Sequence, residues 1–162
     1  YDTYFSKCSA LLKPEGLMLL QAITIADQRY EAAKRSVDFI QRYIFPGSCI
    51  PSVSAMCDAV KRVTDMRLID LEDIGPHYAT TLARWRDNFF ANIDAVRKLG
   101  YPEEFVRMWD FYLAICEATF LERHTSVFQL LLTKNGNTRT LFNEPWTTPA
   151  PAPRAEAVER HA

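Results

Sequence analysis

The side chains of this sequence that could take part in chemistry are few, and two of them are neighbours. His77 and Tyr78 follow an alternating, strand-like segment that Gly75 and Pro76 bring to a stop. Tyr78 opens a helical face that continues at steps of three and four residues through Leu82, Trp85, Phe89, Ile93 and Val96. A hydroxyl beside a strand end is a common position for a reactive or binding group in α/β folds. The alternative is a core tyrosine whose hydroxyl bonds a neighbour.

Gln21 is the odd residue of the apolar run Leu17–Ile25, which has the length and composition of a strand buried on both faces. A buried amide must find partners for its carbonyl and its N–H groups. A packing glutamine bonded to a neighbouring loop satisfies that need, and the residues alone favour it. The functional alternative is a ligand-binding amide near the carboxyl end of the strand, where α/β sheets place their ligands.

Two aromatic stretches could form apolar surfaces. Tyr43–Ser52 is rich in apolar side chains, but Pro46, Gly47 and Pro51 exclude regular structure. Phe105–Phe120 has a helical face that is broader than an ordinary core stripe. Each stretch could pack in a core, line an apolar cavity, or face a partner or a membrane. With the polar candidates, they predict only a site for an apolar ligand with a few polar anchors.

These residues must be positioned by an α/β framework. Strands are predicted at Leu17–Ile25, Met66–Ile74 and Ser126–Thr133. Helices are predicted at residues 1–12, 27–44, 53–64 and 77–99, and from about residue 101 to 120. A helix that leads by a short turn into a buried strand is the second half of a βαβ unit. Three strands are few for an independent α/β domain, so we expect a fragment of a longer protein.

Composition limits the function. The 162 residues include 48% hydrophobic residues, and the net charge is −1, whereas a general binder of nucleic acid or of anionic membranes is usually more basic. No apolar run has the length of a membrane span. The four cysteines form no C-x-x-C pair and the three histidines are scattered, so no metal site is predicted and a reduced, cytoplasmic setting is expected. Residues 144–162 are rich in Pro and Ala and predict a flexible tail behind a domain that spans residues 1–143.

Four segments in order resemble the C-terminal half of the cyclopropane-fatty-acyl-phospholipid synthase and mycolic-acid cyclopropane synthase family. They are Tyr4–Ile23 (YFSKCSALLKPEGLMLLQAI), Tyr43–Ser52 (YIFPGSCIPS), His77–Trp85 (HYATTLARW) and Phe105–Phe120 (FVRMWDFYLAICEATF). The resemblance covers about residues 1–134. It implies strands five to seven of a Rossmann-like class I methyltransferase sheet, the last one reversed, with inserted helices. Its cofactor would be S-adenosyl-L-methionine, held by a glycine loop upstream of this chain.

The resemblance also implies a reaction and a site. Family members add a methyl group to a cis double bond of a phospholipid acyl chain and close a cyclopropane ring. Tyr78 matches the tyrosine that binds a bicarbonate proton acceptor, and Ile23 matches the residue that contributes a backbone group. Gln21 stands where many members have His, and a glutamine amide can still donate a hydrogen bond to the acceptor.

Tyr43, Phe45, Trp109 and Tyr112 are then expected to wall the acyl tunnel of an enzyme that is peripheral to the membrane. The alternatives are a related methyltransferase with a methyl-branched or hydroxylated product, and a non-enzymatic acyl-binding module.

Overall fold

A computed structural model describes residues 1–138 as helices on both faces of a three-stranded sheet. The elements are α1 (Asp2–Leu11), β1 (Leu17–Ile25), α2 (Asp27–Ala33), α3 (Phe39–Tyr43), α4 (Val53–Val63), β2 (Arg67–Asp73), α5 (Gly75–Ala91), α6 (Ile93–Lys98), α7 (Glu103–Leu121) and β3 (Thr125–Thr133). The three predicted strands are confirmed to within one residue at each end. The predicted tail, residues 144–162, lies outside the described residues.

The sheet has the strand order β1-β3-β2, and β3 runs antiparallel to both neighbours. Thus β1 and β2 point the same way, and the last strand is inserted between them in the reverse direction. Helices make the crossover from β1 to β2, because two parallel strands cannot be joined by a tight turn. The carboxyl ends of β1 and β2 and the start of β3 therefore meet at one edge, where Ile25 lies opposite Thr125.

Each face of the sheet has its own core. On one face α1 and α4 pack over the strands, with Phe5, Met56 and Leu130 among the buried side chains. On the other face α5 and α7 cover the start of β3 around Val127, and an ion pair of 2.6 Å between Arg86 Nε and Asp110 Oδ1 joins the two helices. The second face therefore carries the aromatic helices.

The prediction that β1 is buried on both faces was wrong for the described residues. Its side chains alternate, and Leu17, Leu19, Gln21 and Ile23 are exposed. The alternation follows from the pleat, because successive side chains point to opposite faces and α1 and α4 cover only one of them.

The predicted helix over residues 27–44 is two helices. α2 ends at Ala33, and α3 starts anew after Asp38, which is its N-cap. The Asp38 carboxylate accepts a hydrogen bond from the Gln41 N–H, and the Gln41 side chain accepts one from the Asp38 N–H. This capping box satisfies two backbone donors and stabilises a helix start that the apolar pattern does not indicate.

Candidate functional site

Tyr78 lies in the first turn of α5, as the sequence predicted. Its ring is half-buried and packs against Phe120, with ring centroids 5.0 Å apart, and against Trp85 at 5.9 Å. Pro76 occupies the helix start, where its missing N–H is no loss. The ring neighbours of Tyr78 are therefore aromatic residues of α5 and α7, and its side chain packs against the core that contains Val127.

The junction between β2 and α5 is held by Asp73. Its Oδ1 accepts a hydrogen bond of 2.9 Å from the Gly75 N–H and one from the Ser126 hydroxyl. Its Oδ2 accepts one of 3.1 Å from Arg123. Asp73 thereby ties the start of α5 to the start of β3 and fixes the turn from which Tyr78 projects. The sequence analysis did not identify this role, although Asp two residues before a helix start is a recognisable turn signal.

Tyr112 and Cys116 lie one turn apart on α7, next to Tyr78. Burial raises the pKa of Tyr112 to about 12, with smaller contributions from Cys116 and Tyr78. Burial also raises the pKa of Cys116 to about 11, against a smaller lowering effect of the Tyr112 hydroxyl. Both groups are consequently neutral at physiological pH. The surroundings of Tyr78 thus contain neutral polar groups and aromatic rings.

Gln21 and Ile23 lie on the same face of the sheet as Val127. Ile23 lies directly opposite Val127 in the β1–β3 ladder, and Val127 belongs to the buried cluster against which Tyr78 packs. Gln21 lies opposite Gln129, and Gln129 Nε2 donates a hydrogen bond of 3.2 Å to Gln21 Oε1. The predicted loop partner of Gln21 was wrong, since the partner is a side chain of the neighbouring strand. The amide nitrogen of Gln21 remains available as a donor.

Three of the four predicted acyl-tunnel residues are in contact. Tyr112 meets Trp109 edge to face, with centroids 5.3 Å apart, and Phe45 at 6.0 Å. Phe105 and Tyr101 extend this row along α7, with centroid distances of 5.7 Å from Phe105 to Trp109 and 4.2 Å from Tyr101 to Phe105. We call these five rings the aromatic row. Its member Tyr112 lies beside Tyr78, and the row reaches the surface at both ends, because Phe45 and Tyr101 are half exposed.

Tyr43 is the exception among the four. It contacts Phe39, with centroids 5.4 Å apart, and Phe39 contacts Phe111 at 4.8 Å. Tyr43 therefore lies on the outer side of α3, and its tunnel role stays a prediction. The sequence analysis missed Phe39 and Phe111 as contact partners, because the helix break before α3 sets which way Phe39 points.

A cavity of about 310 Å³ lies elsewhere, at the end of β1. It is lined by Thr24, Asp27, Val53, Arg123 and Phe128 among others, and none of the predicted site residues lines it. No cluster of metal-binding side chains occurs within residues 1–138. Over the same residues, every helix is too short or too polar to cross a bilayer.

The first 130 residues match the profile of the family described as mycolic acid cyclopropane synthetase. This chain belongs to that family. Among curated relatives, it is 39% identical over 136 residues to "Tuberculostearic acid methyltransferase UfaA1" of Mycobacterium tuberculosis. That match covers 84% of this chain and 32% of the relative. It is 34% identical over 135 residues to "Cyclopropane-fatty-acyl-phospholipid synthase" of Escherichia coli, covering 83% of this chain and 33% of the relative.

The fold of this chain is also similar to that of a solved cyclopropane synthase. The crystal structure of mycolic acid cyclopropane synthase CmaA1 complexed with SAH and CTAB matches with a TM-score of 0.74 and 29% sequence identity, covering 83% of this chain and 50% of that one. The predicted α/β class and the likeness to half of a class I methyltransferase are confirmed. The chain spans about a third of the length of these curated relatives and half of that solved chain.

Proposed function

We propose that the protein carrying this chain is an S-adenosyl-L-methionine-dependent methyltransferase that forms cyclopropane rings on the acyl chains of phospholipids. Membership of the family supports this reaction class. The observation that carries the proposal is the position of Tyr78, which lies at the start of α5 beside the aromatic row. An acyl chain needs an apolar path with few polar anchors, and this arrangement provides both.

The described residues contribute the substrate side of this site. The bound cofactor supplies an electrophilic methyl group. Within residues 1–138 no glycine-rich loop joins a strand to a helix, so we place the cofactor-binding loop in chain outside this sequence. The rings of the aromatic row exclude water from the acyl chain, and their faces stabilise positive charge that develops on it.

We further propose that Tyr78, Gln21 and Ile23 hold a bicarbonate ion. The residues fit this group: Tyr78 offers a hydroxyl donor, Gln21 an amide N–H that has no partner within residues 1–138, and Ile23 the backbone two residues further along β1. None of these groups is cationic, so an anion held here keeps its basicity, whereas a cationic partner would weaken it. The chemistry that bicarbonate supplies is a fixed anionic base.

A methyl-branched product is the second candidate. The relative at 39% identity is named a methyltransferase of tuberculostearic acid, not a cyclopropane synthase. In this chain Gln21 stands at the proposed base site, and a glutamine amide cannot itself accept a proton at neutral pH. Mass spectrometry of the lipid product distinguishes the two, because ring closure and methyl branching give different carbon skeletons.

The test is Tyr78→Phe in the complete gene product. Loss of one donor at a charge-stabilising site costs about 10²-fold in turnover, while the apolar ring keeps its packing against Phe120. Turnover is measured with phospholipid that contains unsaturated acyl chains. The matched control is Tyr101→Phe, which removes a hydroxyl from an exposed ring at the far end of the aromatic row. Equal turnover of the two variants would rule out the role of Tyr78.

Membrane association follows as part of the same proposal. Phospholipid acyl chains are presented at a bilayer surface, so we place the enzyme in the cytoplasm, peripheral to the membrane. A non-enzymatic acyl-binding module is the alternative, and it predicts acyl binding in the complete gene product without any affinity for S-adenosyl-L-methionine. Calorimetry with the cofactor alone separates these two.

A further inference from the structure

The surface around α3 exposes a contiguous group of apolar side chains. Val37 is 74% exposed, Tyr43 55%, and Phe45 and Phe111 are each 51% exposed. Phe39 joins Tyr43 and Phe111, because its ring contacts both of theirs, and Val37 and Phe45 flank α3 along the chain. We call these five residues the α3 patch. Exposed aromatic and aliphatic side chains that touch one another indicate a surface with a binding partner.

The charges around the α3 patch are basic. Residues 28–45 contain four cations (Arg29, Lys34, Arg35 and Arg42) and two anions (Glu31 and Asp38), in a chain whose net charge is −1. Arg42 lies over the Tyr43 ring, 5.4 Å from its centroid, and within residues 1–138 it forms no ion pair. The guanidinium of Arg35 is largely in solvent. Arg35 also pairs with Glu31 at 3.4 Å, although most of its side chain stays exposed. Apolar rings fringed by exposed cations complement the interface of a bilayer that contains anionic lipid.

The α3 patch is continuous with the proposed substrate path. Phe45 belongs both to the patch and to the aromatic row, where its ring contacts Tyr112. Tyr112 lies next to Tyr78 in the core. A lipid that lies against the patch would therefore meet, without crossing water, the apolar rings that lead towards the reactive site.

We propose that the α3 patch is the surface by which the enzyme docks onto a phospholipid bilayer, with Arg35 and Arg42 at the headgroups and Val37 and Phe111 among the acyl chains. This inference rests on the proposed function for the identity of the lipid, and it adds the site and orientation of docking. The partner is an anionic phospholipid surface, because the charges at the edge are positive.

The test compares two double variants of the complete gene product. Val37→Glu/Phe111→Glu places two carboxylates in the α3 patch. Leu11→Glu/Leu121→Glu is the matched control, since these two side chains are 73% and 63% exposed and lie outside the patch. Binding is measured by co-sedimentation with phosphatidylcholine vesicles, with and without phosphatidylglycerol. We expect the patch variant to lose about tenfold or more in affinity for the anionic vesicles, and the control to bind as the unmodified enzyme does.

Arg42→Gln provides a second measurement that does not alter the apolar surface. We expect it to reduce the preference for anionic over neutral vesicles, and added salt to reduce that preference in the unmodified enzyme. An equal loss of vesicle affinity in the patch variant and in its control would overturn the proposal. So would a melting temperature lowered only in the patch variant, because it would show that another protein segment covers the patch.

Activity on lipid dispersed in detergent separates this proposal from the proposed function. The patch variant should keep its turnover there, since neither Val37 nor Phe111 contacts the Tyr78 site. Full turnover in detergent with unchanged vesicle binding would overturn the docking surface and leave the enzyme assignment intact. Patch-dependent vesicle binding without turnover in any preparation would overturn the enzyme assignment and leave the docking surface intact.

Discussion

At the residue scale, Tyr112 and Cys116 beside Tyr78 are uncharged at physiological pH. Tyr112 and Cys116 both have raised pKa values because burial disfavours their charged forms. An anion bound near Tyr78 therefore meets no competing negative charge from these two side chains at physiological pH. Tyr78 itself was identified from sequence, because its place on an apolar face after a strand is a local pattern.

The raised pKa of Cys116 predicts a slow reaction with alkylating agents. Its pKa is about 11 in the folded chain against a reference value of 9.0. At pH 8 the folded thiol is then about 100-fold less ionised than in the unfolded chain, and only the thiolate reacts. Peptide mass spectrometry after iodoacetamide treatment should find Cys116 protected in the folded protein and modified in urea. Exposed Cys49 is the internal control, since it should be modified in both states. Equal rates for Cys116 in both states would contradict this environment.

At the element scale, the β2–α5 junction depends on the close approach of the Ser126 and Asp73 side chains to the backbone of Gly75. A Cβ added at Gly75 would overlap the Ser126 hydroxyl and lie 3.0 Å from Asp73 Oδ1. Gly75 is also the first residue of α5, so the contact sets where the helix starts. Glycine is needed here for space, and the packing of β3 against α5 explains that need.

Gly75→Ala should therefore destabilise the fold and displace the helix that carries Tyr78. Overpacking of this kind costs about 1–3 kcal/mol. The free energy of unfolding in urea measures the loss. Gly75→Ala combined with Ser126→Ala should lose less than the two single variants together, because the hydroxyl that the new methyl would meet is gone. Strict additivity would show that Gly75 matters for another reason.

At the scale of the whole molecule, β1 is an edge strand of the described sheet and has one uncovered face. β1 pairs only with β3, and Leu19 and Ile23 on its open face are 62% and 40% exposed. An edge strand with exposed apolar side chains is a template for pairing with another chain. The same face presents Gln21, so a segment that covers β1 would also close the proposed anion site.

The 162-residue chain expressed alone should consequently self-associate through β1. Leu19→Lys should reduce the association, since it places a charge on the open face, and size-exclusion chromatography with light scattering measures it. Leu11→Lys is the matched control, because Leu11 is 73% exposed on α1, over the covered face of the sheet. A monomeric unmodified chain, or an equal effect of both substitutions, would contradict this prediction.

The sequence by itself determined the three strands and the place of Tyr78 at a helix start. These depend on local patterns: runs of β-branched and aliphatic residues, a Gly-Pro stop, and steps of three and four. The resemblance to the family added the reversal of the last strand. The family could also be recognised from sequence, because four segments in fixed order carry it.

Only the tertiary structure decided how these elements meet. It brought Gln129 to Gln21 and Asp73 to Ser126, pairs that are 108 and 53 residues apart along the chain. It also divided the predicted helix before Phe39, and this break placed Phe39 and Tyr43 together on the short helix at the centre of the α3 patch. Local patterns fix the period of each element, but contacts between distant segments depend on strand order and helix packing, which no window of sequence contains.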